Sequence, residues 1–182
     1  MVRKEMTMKT LKSWLTCLMV MLTPFLVTPA TADLSEILEA GKVKIAIGEN
    51  FAPFSSLGDE GDYVGFDVDV AKLIAEELGV ELELIPVTSK QRIPYLETDK
   101  ADLVIASMGA NPGRAKSIWF SSAYAPFFSG AFSSESSKIE SIDDLVGLKV
   151  GLTAGTLEDL ELTKSAPDGT NIIRFGDNAA TQ

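Results

Sequence analysis

Apolar positions in residues 43–47 fall at 43, 45 and 47, the alternation of a strand. Residues 68, 71, 74, 75 and 78 are apolar at helical spacing, which predicts a helix over 68–78. Asp67 stands where a helix cap belongs, Asp69 falls on the solvent side, and Gly79 follows as a stop signal. Val80, Leu82 and Leu84 alternate again, so 80–87 reads as a second strand. Residues 92–97 form a brief helix, and 101–108 are almost continuously apolar, as in a strand buried on both faces. A short helix over 34–40, ended by Gly41, precedes the first strand, and 49–61 is a loop holding Pro53, Gly58 and Gly61. Strand, helix, strand, helix, strand predicts a parallel sheet covered by helices. Asn111-Pro112 then resembles a cap followed by proline in the first helical position.

Composition shifts after Ala123. Residues 124–132 are aromatic and small, and 133–137 are a serine-rich bend. A second α/β unit follows, with a helix start at Ser141, a strand over 149–152, a tight loop over 153–156, a helix over 157–163 and a strand over 172–175. Two such units joined by an extended crossover imply two lobes with a cleft between them.

The N-terminus has another character. Lys9 and Lys12 precede a mostly apolar run over 15–27, and Ala30-Thr31-Ala32 is a small-x-small cleavage site, so 1–32 reads as an export signal. Met8 as start would bring both lysines close to that run. The run is broken by Thr16, Thr23 and Pro24 and is short for a membrane span.

Net charge is −10 for the whole chain. Removing 1–32, with Arg3, Lys4, Lys9 and Lys12 against Glu5, takes it to about −13. Nucleic acid is therefore excluded as a partner, because phosphate binding needs a basic surface. The one cysteine, Cys17, lies in the signal, and histidine is absent. Cysteine zinc sites, cysteine nucleophiles and Ser-His-Asp triads fall away with them. Stability without disulfides requires a real core, which a chain of this length with 46% hydrophobic residues can supply.

Arg114 is the first candidate for chemistry. It follows a predicted buried strand, and in open parallel sheets ligands bind beyond the carboxyl ends of the strands. A guanidinium there grips a carboxylate through two parallel charge-assisted bonds.

The segments Phe51-Ala52-Pro53-Phe54, Gly65-Phe66-Asp67-Val68-Asp69 and Asn111-Pro112-Gly113-Arg114, in that order after an export signal, resemble the solute-binding proteins of polar amino-acid ABC transporters, family 3. The resemblance covers 33–182. It implies a periplasmic-binding-protein-like α/β fold of two parallel-sheet lobes with flanking helices, the second lobe incomplete. Residues 33–125 would be the N-terminal part of lobe one, and 126–182 the crossover and start of lobe two. It implies capture of a polar amino acid in the periplasm for a membrane permease, by a monomer without cofactor, metal or catalytic residues. In the family the arginine at Arg114 holds the ligand's α-carboxylate, an aromatic ring at Phe51 stacks on the ligand, Ser107 and Gly109 line the carboxylate side, and Thr156 contacts the ligand from lobe two. Residues 88–94 resemble glutamate/aspartate binders, which would make Arg92 a second cation for an acidic side chain; otherwise it is a helix-surface arginine. A segment after Gln182 would complete both lobes and hold the ligand's ammonium, so a truncated chain is expected.

Four positions depart from the family pattern. Gly109 replaces a hydroxyl residue, Gly48 an aspartate, Ser89 an aromatic and Gly113 a glutamate. Two alternatives share the fold: a periplasmic dehydratase resembling cyclohexadienyl dehydratase, with Glu49 or Glu158 as acid, and a sensing domain of a signalling or cell-wall lytic protein.

Overall fold

The computed structural model describes residues 34–126 and 128–182; the export signal and its cleavage site lie outside the described residues. The first unit opens with α1 (Leu34–Ala40) and β1 (Lys42–Gly48). Then come β2 (Ser56–Leu57), β3 (Tyr63–Val64), α2 (Phe66–Leu78), β4 (Glu81–Val87), α3 (Arg92–Glu97) and β5 (Leu103–Ile105). β1 is the central strand of a parallel sheet ordered β4-β1-β5, with Ile45 opposite both Leu84 and Leu103.

Alternation on β1 builds two cores. Val43, Ile45 and Ile47 are buried on one face with Ile37 of α1, Val68, Ala71 and Ala75 of α2, and Ile105. Ala46 points to the other face with Val87 and Ala101, where Tyr95 of α3 packs. Each fully buried branched side chain contributes about 1.5–3 kcal/mol. α2 ends because Gly79 takes a left-handed conformation, φ 67°, and its N–H returns to the last turn.

Four expectations change here. Asp67 does not cap α2. Gly65 holds that position at φ 127°, and a Cβ there would lie 2.4 Å from the Phe54 carbonyl oxygen, so only glycine fits. Asp67 instead sits in the first turn, 1% exposed. Asp69 is solvated as expected, beside Lys72. The strand over 101–108 shortens to β5, since Ser107 turns left-handed at φ 48°, and among the described residues β5 pairs with β1 alone. Asn111 Oδ1 does accept the Arg114 N–H at 2.9 Å, yet only a 3₁₀ turn, Arg114–Lys116, follows. Its one buried residue is Arg114, so no apolar stripe propagates a helix. Finally, the 49–61 loop contains β2, which pairs antiparallel with β3.

Residues 121–126 and 128–140 carry no helix or strand, and Phe128 and Phe132 are exposed there. The second unit starts at a Ser141–Asp144 capping box on a 3₁₀ turn, Ile142–Leu145. β6 (Lys149–Thr153), α4 (Leu157–Ser165), β7 (Asn171–Phe175) and α5 (Asn178–Thr181) complete it, with β6 and β7 parallel. α5 was not foreseen; Asp177 caps it through the Ala180 N–H.

Candidate functional site

The carboxyl ends of β1, β4 and β5 open onto a cleft whose other wall is the starts of α4 and α5. Its enclosed volume is about 50 Å³, within a wider space of about 590 Å³ that includes open solvent. Phe51, Arg92, Ser107, Gly109, Arg114 and Thr156 all line it, together with Gly48 and Ser89. The structure thus brings all six expected residues to one place.

Arg92 and Arg114 dominate its electrostatics. They are 5% and 8% exposed, and among the described residues neither has a carboxylate within 4 Å. Arg114 donates Nη1–H to the Gly109 carbonyl at 2.7 Å and Nη2–H to the Gly155 carbonyl at 2.9 Å. Arg92 donates to the carbonyls of Ser89 (3.1 Å), Ala106 (2.9 Å) and Gly155 (3.4 Å). Arg92 is therefore not a helix-surface residue, and all three of its nitrogens are engaged. Burial pushes its pKa down to about 10, with the Arg114 charge adding to the effect and Glu158 opposing it. Burial also lowers the Arg114 pKa, and Glu158 again opposes it.

The facing wall carries carboxylates. Glu158 and Asp177 line the cleft, with Glu49 at the end of β1. Burial works to raise the Glu158 pKa, but hydrogen bonds from Ser129, its own N–H and Thr156, plus the Arg114 charge, hold it below the usual range. Glu158 is thus ionised at neutral pH and poorly suited to donate a proton. Thr156 caps α4 by accepting the Asp159 N–H at 3.3 Å. Its hydroxyl donates to the Thr153 carbonyl at 3.0 Å, so it shapes the loop while lining the cleft.

Phe51 packs against Phe54, ring centres 4.9 Å apart. Behind the cleft, Asp67 accepts the Ser107 hydroxyl at 3.4 Å, which ties α2 to the left-handed residue of the 106–109 turn. Burial pushes the Asp67 pKa up to about 6 despite that bond.

Three participants had no reading in the sequence: Leu157, Asp177 and Asn178. Leu157 follows the Thr156 cap as the first residue of α4, the one local hint that it faces the cleft. Asp177 and Asn178 reach the site through the α5 start, which polar composition alone did not signal.

Two parallel-sheet units facing each other across a cleft with buried cations define an α/β fold of the two-lobe, periplasmic-binding-protein-like type, of which the chain holds a part. The family model for bacterial extracellular solute-binding proteins, family 3, matches residues 43–177, and the chain belongs to that family. It is 32% identical over 161 residues to the arginine-binding extracellular protein ArtP of Bacillus subtilis, covering 87% of this chain and 62% of that protein. It is 32% identical over 147 residues to the L-cystine-binding protein TcyJ of Escherichia coli, covering 80% and 55%. Among solved structures it is similar to an ancestral amino-acid-binding protein, a precursor of cyclohexadienyl dehydratase. There the identity is 34% and the TM-score 0.73, with 81% of this chain and 66% of that one covered. The chain spans less than two thirds of the length of these curated relatives.

Proposed function

We propose that this chain binds a polar amino acid outside the cytoplasm, for delivery to the permease of an ABC transporter. Lobe one is taken as 33–125, and 126–182 as the crossover and the beginning of lobe two. The observation that carries the reading is the pair of buried guanidiniums without a carboxylate partner among the described residues. Buried charge is costly unless paired, so a ligand carboxylate is the natural complement.

Arg114 takes that carboxylate, with Gly109 beside it and Ser107, its hydroxyl held by Asp67, shaping the turn that lines the same side. Arg92 spends three of its five guanidinium N–H groups on carbonyls, which leaves two to act as a second grip for an acidic side chain of the ligand. Glu158 and Asp177 on the facing wall suit its ammonium end. Phe51 flanks the ligand, and Thr156 sets the lobe-two edge. Export follows from the 1–32 signal, so periplasmic material should begin at Asp33 on N-terminal sequencing. An ionised Glu158 weighs against the dehydratase alternative.

Calorimetric titration with arginine, cystine, glutamine and glutamate tests the reading. Arg114→Lys keeps the charge and loses the planar fork, and one lost charge-assisted bond predicts about a hundredfold weaker binding. Unchanged affinity would remove Arg114 from the site. Since Arg114 also holds two carbonyls, the same variant should lower folding stability by about 1.5–3 kcal/mol.

A further inference from the structure

The bonds that hold Arg92 and Arg114 include one acceptor from across the cleft. The Gly155 carbonyl accepts from Arg114 Nη2 at 2.9 Å and from Arg92 Nη2 at 3.4 Å, joining the 153–156 loop of the second unit to the first. That loop is itself braced. The Gly155 N–H donates to Asp159 Oδ2 at 2.9 Å, and Asp159 Oδ1 accepts Arg174 Nε at 2.7 Å.

The approach depends on two glycines, one on each side. At Gly155, φ 81°, a Cβ would lie 2.9 Å from Lys90 Cγ and 3.3 Å from the Lys90 backbone N and Cα. At Gly109 a Cβ would lie 2.3 Å from Leu157 Cδ1, so Leu157 rests where a side chain at 109 would otherwise stand. Asn50 Nδ2 adds a bond to Asp177 Oδ2 at 3.2 Å across the same cleft.

We propose that the 153–156 loop and the first turn of α4 form a latch, with the Gly155 carbonyl as an internal stand-in for the ligand's carboxylate on the paired guanidiniums and Leu157 seated on Gly109 as its knob. This rests on the amino-acid-binding reading for the identity of what displaces the carbonyl. The guanidinium–carbonyl bonds are already charge-assisted on the donor side; a carboxylate adds an opposite charge and a second oxygen for bidentate pairing. An uncharged amide swaps one carbonyl for another and gains little, so the latch selects for an ionised ligand group. It also lowers apparent affinity by the fraction of molecules held shut.

The test uses the full chain with Cys17→Ser, which leaves no native thiol, and spin labels on cysteines placed by Glu76→Cys on α2 and Lys164→Cys on α4, both exposed. Pulsed electron–electron distances in buffer without added amino acid should show one narrow, short population. Gly155→Ala and Gly109→Ala should each broaden it to longer distances. Adding Leu157→Ala to Gly109→Ala should restore the short population, which separates a lost latch from a lost fold. A broad, long distribution in the parent, or no recovery in the double variant, overturns the latch. Titration of the parent with arginine, cystine, glutamine and glutamate keeps the two readings apart. A latched parent that binds none of them leaves the latch standing and sinks the amino-acid reading; a parent that binds one but has broad unliganded distances sinks the latch alone.

Discussion

Asp67 offers a direct test of how burial sets stability in this fold. Its carboxyl is almost wholly enclosed, and its pKa rises from 3.8 to about 6 because the ionised form loses water and gains only the Ser107 hydroxyl. The folded chain then holds this proton more tightly than the unfolded chain does. Between pH 3.8 and about 6 the native state binds more protons, so this group's contribution falls as pH rises and is fully lost above about 6. At about 1.4 kcal/mol per pH unit the ionised carboxylate costs about 3 kcal/mol at neutral pH. Asp67→Asn removes the charge and keeps an acceptor for Ser107. At pH 7.5 it should stabilise the chain by up to about 3 kcal/mol, a rise of roughly 1–2 M in urea midpoint. At pH 4 the two proteins should be nearly equal. The assay is urea unfolding of parent and variant at half-unit steps from pH 4 to 7.5, read as the difference between them. Differencing cancels the lowered carboxylates Glu158, Asp159 and Asp177, whose contributions change at lower pH. A difference that is constant with pH, or a variant less stable at pH 7.5 than at pH 4 relative to the parent, would refute the reasoning. Tyr124, whose pKa is raised by burial and by the Asp67 charge, should titrate at lower pH in the variant.

Two further outcomes follow from the packing. Ile45→Ala, at the centre of the larger core, should cost about 2–5 kcal/mol in urea unfolding, with the cleft residues left in place. Burial works to raise the Asp159 pKa, but bonds from Gly155, Arg174 and Thr163 together hold it below 3.8, so its contribution is present above 3.8 and lost as pH falls through the lowered value. Asp159→Asn should therefore cost about 1–3 kcal/mol at pH 7, less as acid is added, with the loss read by thermal melts between pH 7 and 2.5.

Local periodicity alone determined much of this chain. The alternation at 43, 45 and 47 marks β1, and the 3.6-residue spacing ended by Gly79 marks α2, because side-chain direction follows directly from backbone repeat. The strand–helix order made the sheet parallel, and the position of Arg114 beyond a strand end put it at the cleft. The solvated Asp69 was legible in the same way. What local pattern does not contain is which distant segments meet. Asp67 and Asp69 carry the same side chain two residues apart; one is enclosed against Ser107, 40 residues on, and the other meets water. Arg92 is polar at a helix start, a surface signature, yet Gly155, 63 residues on, supplies one of its acceptors. That a side chain at 109 would collide with Leu157, 48 residues on, is visible only in the packing. Tertiary structure decided these points because desolvation, shared acceptors and steric fit depend on what packs nearby, and sequence spacing carries no term for that.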